Sequence, residues 1–307
     1  MASALYRGRF APSPTGPLHF GSLVAAVGSY LEAKSHNGTW LVRMEDLDPP
    51  REMPGAADAI LKALEAYGFE WDEPVLYQSQ RSEYYEAALA KLRQDGQLYA
   101  CACTRKEIAD SAPQGIEGPI YPGTCRSGLA DGKPPRAWRV RVNESEIVFE
   151  DAIQGTICQN LAEDIGDFVL KRADGYYAYQ LAVVIDDAAQ KISHVVRGAD
   201  LLDSTPRQIH LQHLLGLPTP GYAHLPVAVN AAGEKLSKQT LAMPLDIEHP
   251  VPALHQALCF LGQDAPAELA ADSLPELWQW ARAHWRLANI PSRRHQAVTP
   301  QAFPAPG

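Results

Sequence analysis

Apolar and polar positions along the chain follow two rhythms that succeed one another. Tyr6 to Ala11 reads as a short buried strand. From Ser22 onward, Leu23, Val24, Val27, Tyr30 and Leu31 recur at spacings close to i, i+4, i+7 and i+8, the stripe of an amphipathic helix. Trp40-Leu-Val-Arg-Met44 is a second apolar run of strand length, ending in Glu45-Asp46-Leu47-Asp48 and two prolines. Strand, helix and strand make a βαβ unit, so the expected fold is α/β with a doubly wound, Rossmann-like parallel sheet. Two more helices are expected. One spans about 55–67 with Ile60, Leu61 and Leu64 inward; the other spans about 82–93, capped by Ser82, with Tyr85 and Leu89 inward.

After Leu98 the rhythm changes. A Gly- and Pro-rich stretch over 112–135 is followed by alternating, strand-like segments at Trp138-Arg-Val-Arg-Val142, Glu146-Ile-Val-Phe149 and Asp167-Phe-Val-Leu-Lys171. The α/β pattern resumes at Tyr176. A helix is expected from Tyr179 to Asp187, a strand over Ile192 to Arg197, a helix from Thr205 to Leu215, and one strand over His224 to Val229. Helical periodicity returns at about 252–262 and 274–286. The expected organisation is therefore a first catalytic half at 1–98, an inserted α+β subdomain at 99–175 and a second catalytic half at 176–245. A short helical part at 246–290 follows, then a Pro-rich, poorly ordered tail at 291–307.

Composition narrows the function classes. Apolar residues are 46% and charged residues 21% of the chain, as in ordinary globular proteins. No window approaches 18 uninterrupted apolar residues, and the N-terminus lacks a signal-peptide core, so no membrane span and a cytoplasmic location are expected. The net charge of −9 removes any global electrostatic argument for nucleic-acid binding, which would have to rest on local patches. The five cysteines, at 101, 103, 125, 158 and 259, are an odd number, which argues against a disulfide framework. Cys158 and Cys259 have no partner in sequence and read as core residues. No coiled-coil seam or long amphipathic edge argues for a dimer, so a monomer is expected.

The segment Arg9-Phe-Ala-Pro-Ser13-Pro-Thr-Gly-Pro-Leu-His19-Phe-Gly21 runs from the end of a strand, through a proline-stiffened turn, into a helix N-terminus. Free N–H groups and the positive end of the helix dipole make such a place a phosphate site, and ATP is the expected ligand. Ser13 and Glu45 both fall at strand carboxyl ends, where ligands of such sheets sit.

His19 with Gly21 and, over 200 residues on, Lys235-Leu-Ser-Lys238 are each weak signals alone. In this order, together with Arg43-Met-Glu45-Asp46-Leu-Asp48, Tyr179-Gln-Leu-Ala-Val-Val-Ile-Asp-Asp187 and Val196-Arg197-Gly-Ala-Asp200, they resemble the glutamyl subgroup of class I aminoacyl-tRNA synthetases. The matches run from residue 7 to 239. The resemblance implies attack of a carboxylate on the α-phosphorus of ATP, with Mg2+ accompanying the nucleotide. It implies His19, Gly21, Asp200, Lys235 and Lys238 on ATP, with His19 and the two lysines catalytic. It implies Arg9, Ser13, Glu45, Tyr179 and Arg197 on L-glutamate. Ser22 replaces the second histidine of the first signature, as in the glutamyl subgroup, and Gln239 replaces the last serine of the second, leaving both lysines in place. Without the resemblance, strand-end ion pairs are the preferred reading of Arg9, Glu45 and Arg197.

Cys101-x-Cys103 and Tyr121-x-x-x-Cys125 are tight enough to bind a metal, and structural zinc takes four ligands. Three buried thiols are the plainer alternative. The Cys-x-Cys…Tyr-x-x-x-Cys pattern resembles that of short glutamyl-synthetase-like proteins, which implies Zn2+ with Tyr121 as fourth ligand. About 70 residues follow Lys238, too few for a large anticodon-binding domain. Such truncated relatives transfer glutamate to queuosine at the wobble position of tRNA(Asp), so that tRNA's anticodon loop is the implied partner. Arg136, Arg139 and Arg141 are candidate contacts, or a solvated strand face. Alternatives are a truncated enzyme charging tRNA 3′ ends, an inactive RNA-binding paralogue, and a nucleotidylyltransferase of the same sheet type.

Overall fold

The computed structural model describes residues 5–116, 118–130, 132–230, 233 and 243–298. Its first unit is β1 (Arg7–Phe10), α1 (Phe20–Ser35) and β2 (Thr39–Met44), followed by α2 (Ala56–Ala66), β3 (Leu76–Tyr77) and α3 (Ser82–Gln94). β1, β2 and β3 pair in parallel, as the βαβ pattern requires. Ser82 is the first helical residue of α3 rather than its cap. The carbonyl of Arg81 already accepts the Tyr84 N–H, so the turn begins one residue earlier than expected.

The insertion carries β4 (Leu98–Cys101), α4 (Arg105–Ser111), the short pair β5 (Gln114–Gly115) and β6 (Gly118–Pro119), and β7 (Ala137–Val140). Then come β8 (Glu146–Asp151), β9 (Gly155–Asn160), α5 (Leu161–Asp164) and β10 (Val169–Lys171). β4, β7 and β10 form a separate antiparallel sheet. The β8–β9 hairpin does not belong to it, although it lies inside the stretch expected as the insertion. β8 pairs in parallel with β12, so the hairpin extends the main sheet.

The second half contains α6 (Tyr179–Ala189), β11 (His194–Gly198), α7 (Thr205–Leu215), β12 (Gly221–Leu225) and β13 (Val227–Val229). The last elements are α8 (Pro250–Phe260), α9 (Leu274–His284) and β14 (His295–Ala297). β11 and β12 are parallel, and β11 abuts β1 through Ser193, whose N–H donates to the Arg7 carbonyl at 3.0 Å. The strands run β3-β2-β1 in one ladder and β11-β12-β8-β9 in the other, parallel except at the last hairpin; the Ser193 bond sets β11 beside β1, and the winding reverses between these two strands.

Two expectations are corrected here. The single strand over 224–229 is two, because Pro226 has no N–H for the ladder and breaks it. The stretch from residue 291, expected to be poorly ordered, includes β14, which pairs in parallel with β13 and is fixed by a bond from Val227 N–H to the Arg294 carbonyl at 2.9 Å. The Pro-rich composition concealed that β13 leaves an edge needing a partner.

All five stripe residues of α1 are buried, and so are Ala26, Gly28, Ser29 and Glu32 on its other faces. The helix is enclosed because α8 and α9 cover the side away from the sheet. Trp285 donates to Glu32 at 2.7 Å, Trp278 to the Tyr67 carbonyl at 2.8 Å, and Arg282 to the Tyr30 hydroxyl at 2.6 Å. The C-terminal helices therefore share the main core. A Cβ on Gly28 would stand 2.6 Å from Cδ1 of Leu225, so a larger residue there requires that side chain to shift. Among the described residues no helix is long and apolar enough to cross a membrane.

Candidate active site and thiolate cluster

The reversal point of an open α/β sheet leaves a crevice outside the strand ends. Here a cavity of about 500 Å3 occupies it. Arg9, Ser13, His19, Gly21, Glu45, Tyr179, Arg197 and Asp200 all line it, although they come from positions spread over nearly two hundred residues. Lys235 and Lys238 lie outside the described residues.

The proline-rich turn is pinned to its surroundings by backbone bonds. Glu45 N–H donates to the Pro12 carbonyl at 3.0 Å, Met53 N–H to Pro14 at 3.0 Å, and Leu245 N–H to Leu18 at 2.9 Å. His19 is the N-cap of α1, and its Nδ1 accepts the Ser22 N–H at 3.3 Å. The first turn of α1 contains no acidic residue, so the positive end of its dipole faces the cavity uncompensated by that turn.

The three arginines at the site are treated differently. Arg9 and Arg43 are both buried, and both bind Asp187: Arg9 Nε at 3.1 Å and Arg43 Nη1 at 2.7 Å from Oδ1. Arg43 also reaches Gln190 at 2.9 Å and Glu45 at 3.3 Å. Burial alone would raise the Asp187 carboxyl, but the two guanidinium groups outweigh it and hold it below the ordinary carboxylate range. Burial pushes the Glu45 carboxyl up, and Arg43 and Arg9 offset only part of that. Two cations thus face two carboxylates.

Arg197 is 5% exposed and has no carboxylate partner among the described residues. Its Nε donates to His224 Nε2 at 3.1 Å. Nη2 donates to Thr205 at 2.9 Å, Gln208 at 2.8 Å and the Leu201 carbonyl at 3.4 Å. Nη1 donates to the Tyr179 hydroxyl at 3.2 Å, its one bond among the described residues, which leaves a second N–H on a cavity-lining group. Every one of these acceptors is neutral. A buried guanidinium with neutral partners retains a full charge, and an anion in the cavity is the complement that charge requires.

His224 is kept neutral by its setting. Burial lowers its pKa, Asp151 works against this and Arg197 with it, and the net value falls to about 4. Asp151 Oδ2 lies 2.6 Å from His224 Nδ1, while Oδ1 accepts three backbone N–H groups, from Ile153, Gln154 and His224. The aspartate accepts on one side and the arginine donates on the other. The imidazole therefore carries its proton on Nδ1.

Asp151, His224, Thr205, Gln208, Arg43 and the pairing role of Asp187 were not legible in sequence. Two carboxylates closing the apolar run of α6 were a signal for Asp187, since buried acids need a cation. A single histidine in an apolar strand gave no hint of a partner 73 residues away.

The second cluster lies at the end of β4. The sulfurs of Cys101, Cys103 and Cys125 lie within 4.8 Å of one another, with Cys103 and Cys125 3.7 Å apart, too far for a disulfide. The Tyr121 oxygen stands 3.4 Å from Cys101 and 3.7 Å from Cys103, and accepts the Cys125 N–H at 2.9 Å. Donor atoms about 3.8 Å apart match the edge of a tetrahedron around a zinc ion with bonds of about 2.3 Å. The donor set therefore fits a zinc ion.

Arg139 and Arg141 are already engaged. Arg139 lies 3.9 Å from the Tyr121 ring centre and donates to the Asp167 carbonyl at 2.6 Å. Arg141 donates to the carbonyls of Gly96 at 3.1 Å and Arg126 at 2.6 Å. Arg136 is exposed. Cys158 and Cys259 are exposed, not core residues as expected. On β9 the period-two alternation buries Gln159 and turns Cys158 outward.

Residues 6–251 match the family described as tRNA synthetases class I (E and Q), catalytic domain. The chain is 60% identical over 292 residues to the glutamyl-Q tRNA(Asp) synthetase of Chromobacterium violaceum, covering 95% of this chain and 97% of that protein. It is 62% identical over 288 residues to the protein of the same name in Dechloromonas aromatica, covering 93% and 96%. Among solved structures, the glutamate-tRNA synthetase of Elizabethkingia anophelis superposes with a TM-score of 0.80 at 25% identity, covering 97% of this chain and 69% of that one.

Proposed function

The chain belongs to the class I glutamyl and glutaminyl tRNA synthetase family and is a ligase, and from that premise we propose that it activates L-glutamate with ATP, without tRNA, and transfers it to queuosine in the anticodon loop of tRNA(Asp). In the first step a glutamate α-carboxylate oxygen attacks the α-phosphorus of ATP. The bond to the bridging oxygen breaks, and pyrophosphate leaves with its electrons. Catalysis of this kind is mainly positioning and electrostatics. His19 and the N-terminus of α1 would meet the phosphates on one side, with Lys235 and Lys238 on the other, Gly21 allowing close approach and Asp200 holding the ribose. Mg2+ accompanies ATP and spreads the phosphate charge. Ser13 and Glu45 would hold the α-ammonium group, and Arg9, Tyr179 and Arg197 the side-chain carboxylate.

The observation that carries this reading is the set of neutral acceptors around Arg197. It calls for an acidic side chain, because the amide of glutamine would leave the charge without a counterion. The names of the relatives at 60% and 62% identity support the queuosine acceptor. Cys101, Cys103, Tyr121 and Cys125 would hold a structural zinc, clamping the insertion.

The test is labelling with radioactive glutamate, ATP and three acceptors: tRNA(Asp) containing queuosine, the same tRNA without it, and tRNA(Glu). Label in the first alone is expected. Label in tRNA(Glu) alone would make this a truncated charging enzyme, and absence of glutamate-dependent ATP–pyrophosphate exchange would make it an inactive paralogue.

A further inference from the structure

The cavity explains what Arg197 binds, but not what holds a long, buried guanidinium in one orientation. We propose that Asp151 and His224 are positioning residues for Arg197: the aspartate orients the imidazole, and the imidazole holds the guanidinium so that Nη1, beside Tyr179, is presented to the substrate's acidic group. This rests on the glutamate-activation reading and assigns a role to two residues that do not line the cavity.

The geometry supplies the steps. Asp151 closes β8 and stands opposite Tyr222 of β12, two residues before His224. Three backbone N–H groups on Oδ1 fix the carboxylate, leaving Oδ2 to accept the Nδ1–H hydrogen bond at 2.6 Å. Nε2 then has only its lone pair to offer, and that pair accepts from Arg197 Nε at 3.1 Å. Thr205 Oγ1 lies 3.2 Å from the same nitrogen and accepts from Arg197 Nη2 at 2.9 Å. One edge of the guanidinium is thereby clamped, and rotation about its stem is blocked.

The choice of histidine has an electrostatic reason. A carboxylate at position 224 would pair with Arg197 directly and compete with the substrate. A neutral ring takes the hydrogen bond without taking the charge, while Asp151 sits one imidazole away and eases burial of the cation. The β8–β9 hairpin, carried in the sequence between the two halves of the site, thus reaches the substrate pocket through two side chains.

The test uses the full chain and glutamate-dependent ATP–pyrophosphate exchange, with thermal melting as a check on folding. Asp151→Asn can turn an amide N–H toward Nδ1, forcing the imidazole proton to Nε2 against Arg197. His224→Leu removes the acceptor, whereas His224→Gln keeps a carbonyl oxygen within reach of Nε. Asp151→Asn and His224→Leu should raise the KM for glutamate about tenfold or more and leave the KM for ATP within about twofold, and His224→Gln should recover most of the loss. An unchanged glutamate KM in Asp151→Asn, equal rises in both KM values, or His224→Gln as impaired as His224→Leu would overturn the proposal. No exchange by the unaltered protein would instead remove the glutamate reading beneath it.

Discussion

Asp187 on α6 lies 2.7 Å from Arg43 on β2, and the same oxygen lies 3.1 Å from Arg9 on β1. One carboxylate therefore ties a helix of the second half to two strands of the first. All three groups are buried, so the pairing is retained at high salt, where exposed ion pairs weaken.

Replacing Asp187 by alanine should be strongly destabilising. It leaves two buried guanidinium groups to share Glu45, and breaking a buried pair costs about 3–5 kcal/mol. Urea denaturation measures this directly. A loss below about 1 kcal/mol would show that water or a shifted Glu45 replaces the carboxylate.

Acid should weaken the protein in two stages of the same sign. His224 has its pKa lowered from 6.5 to about 4 in the folded state. Between those values the unfolded chain binds a proton that the native protein does not. Stability should fall as pH drops through that window, by about 1.4 kcal/mol per pH unit at most for one proton. Asp151 and Asp187 are both held below their ordinary value of 3.8, so their contribution is present above that pH and is lost as pH falls further through their folded values. Denaturation curves at several pH values should show the upper stage disappear in His224→Gln and the lower one persist.

Arg197→Lys should separate substrate binding from folding. A lysine keeps the charge but has three donors on one nitrogen, where the arginine serves His224, Tyr179, Thr205 and Gln208 from three nitrogens. The expected effect is a fall of roughly a hundredfold in kcat/KM for glutamate in the exchange assay, equivalent to about 2.7 kcal/mol, with ATP affinity preserved. An equal loss toward ATP would place Arg197 in the nucleotide half of the cavity.

Metal analysis of the purified protein should find about one zinc per chain. Cys103→Ser should lose the metal, and Tyr121→Phe, which retains three thiolates, should bind it more weakly. Chelation should lower the melting temperature of the unaltered protein and leave that of Cys103→Ser in place. A zinc-free protein with an unchanged melting point on adding zinc would make the cluster three packed thiols.

Much of this protein was determined locally and could be read from its sequence. The spacing of Leu23, Val27, Tyr30 and Leu31 specifies a helix whatever surrounds it. The proline-rich turn between Arg9 and Gly21 restricts its own backbone, and Cys101 and Cys103 are neighbours before anything folds. Resemblance of those segments to a family singled out ten residues, and the eight of them that are described are among those lining the cavity. What tertiary structure alone decided was the partner of each charge and the neighbour of each edge. Arg9 and Arg197 look alike in sequence, yet one is neutralised by Asp187, 178 residues away, and the other is left charged among neutral acceptors. The β8–β9 hairpin joins the main sheet, and β14 completes β13. Burial and electrostatic compensation are sums over atoms that folding brings together from distant positions, and no local pattern contains that sum.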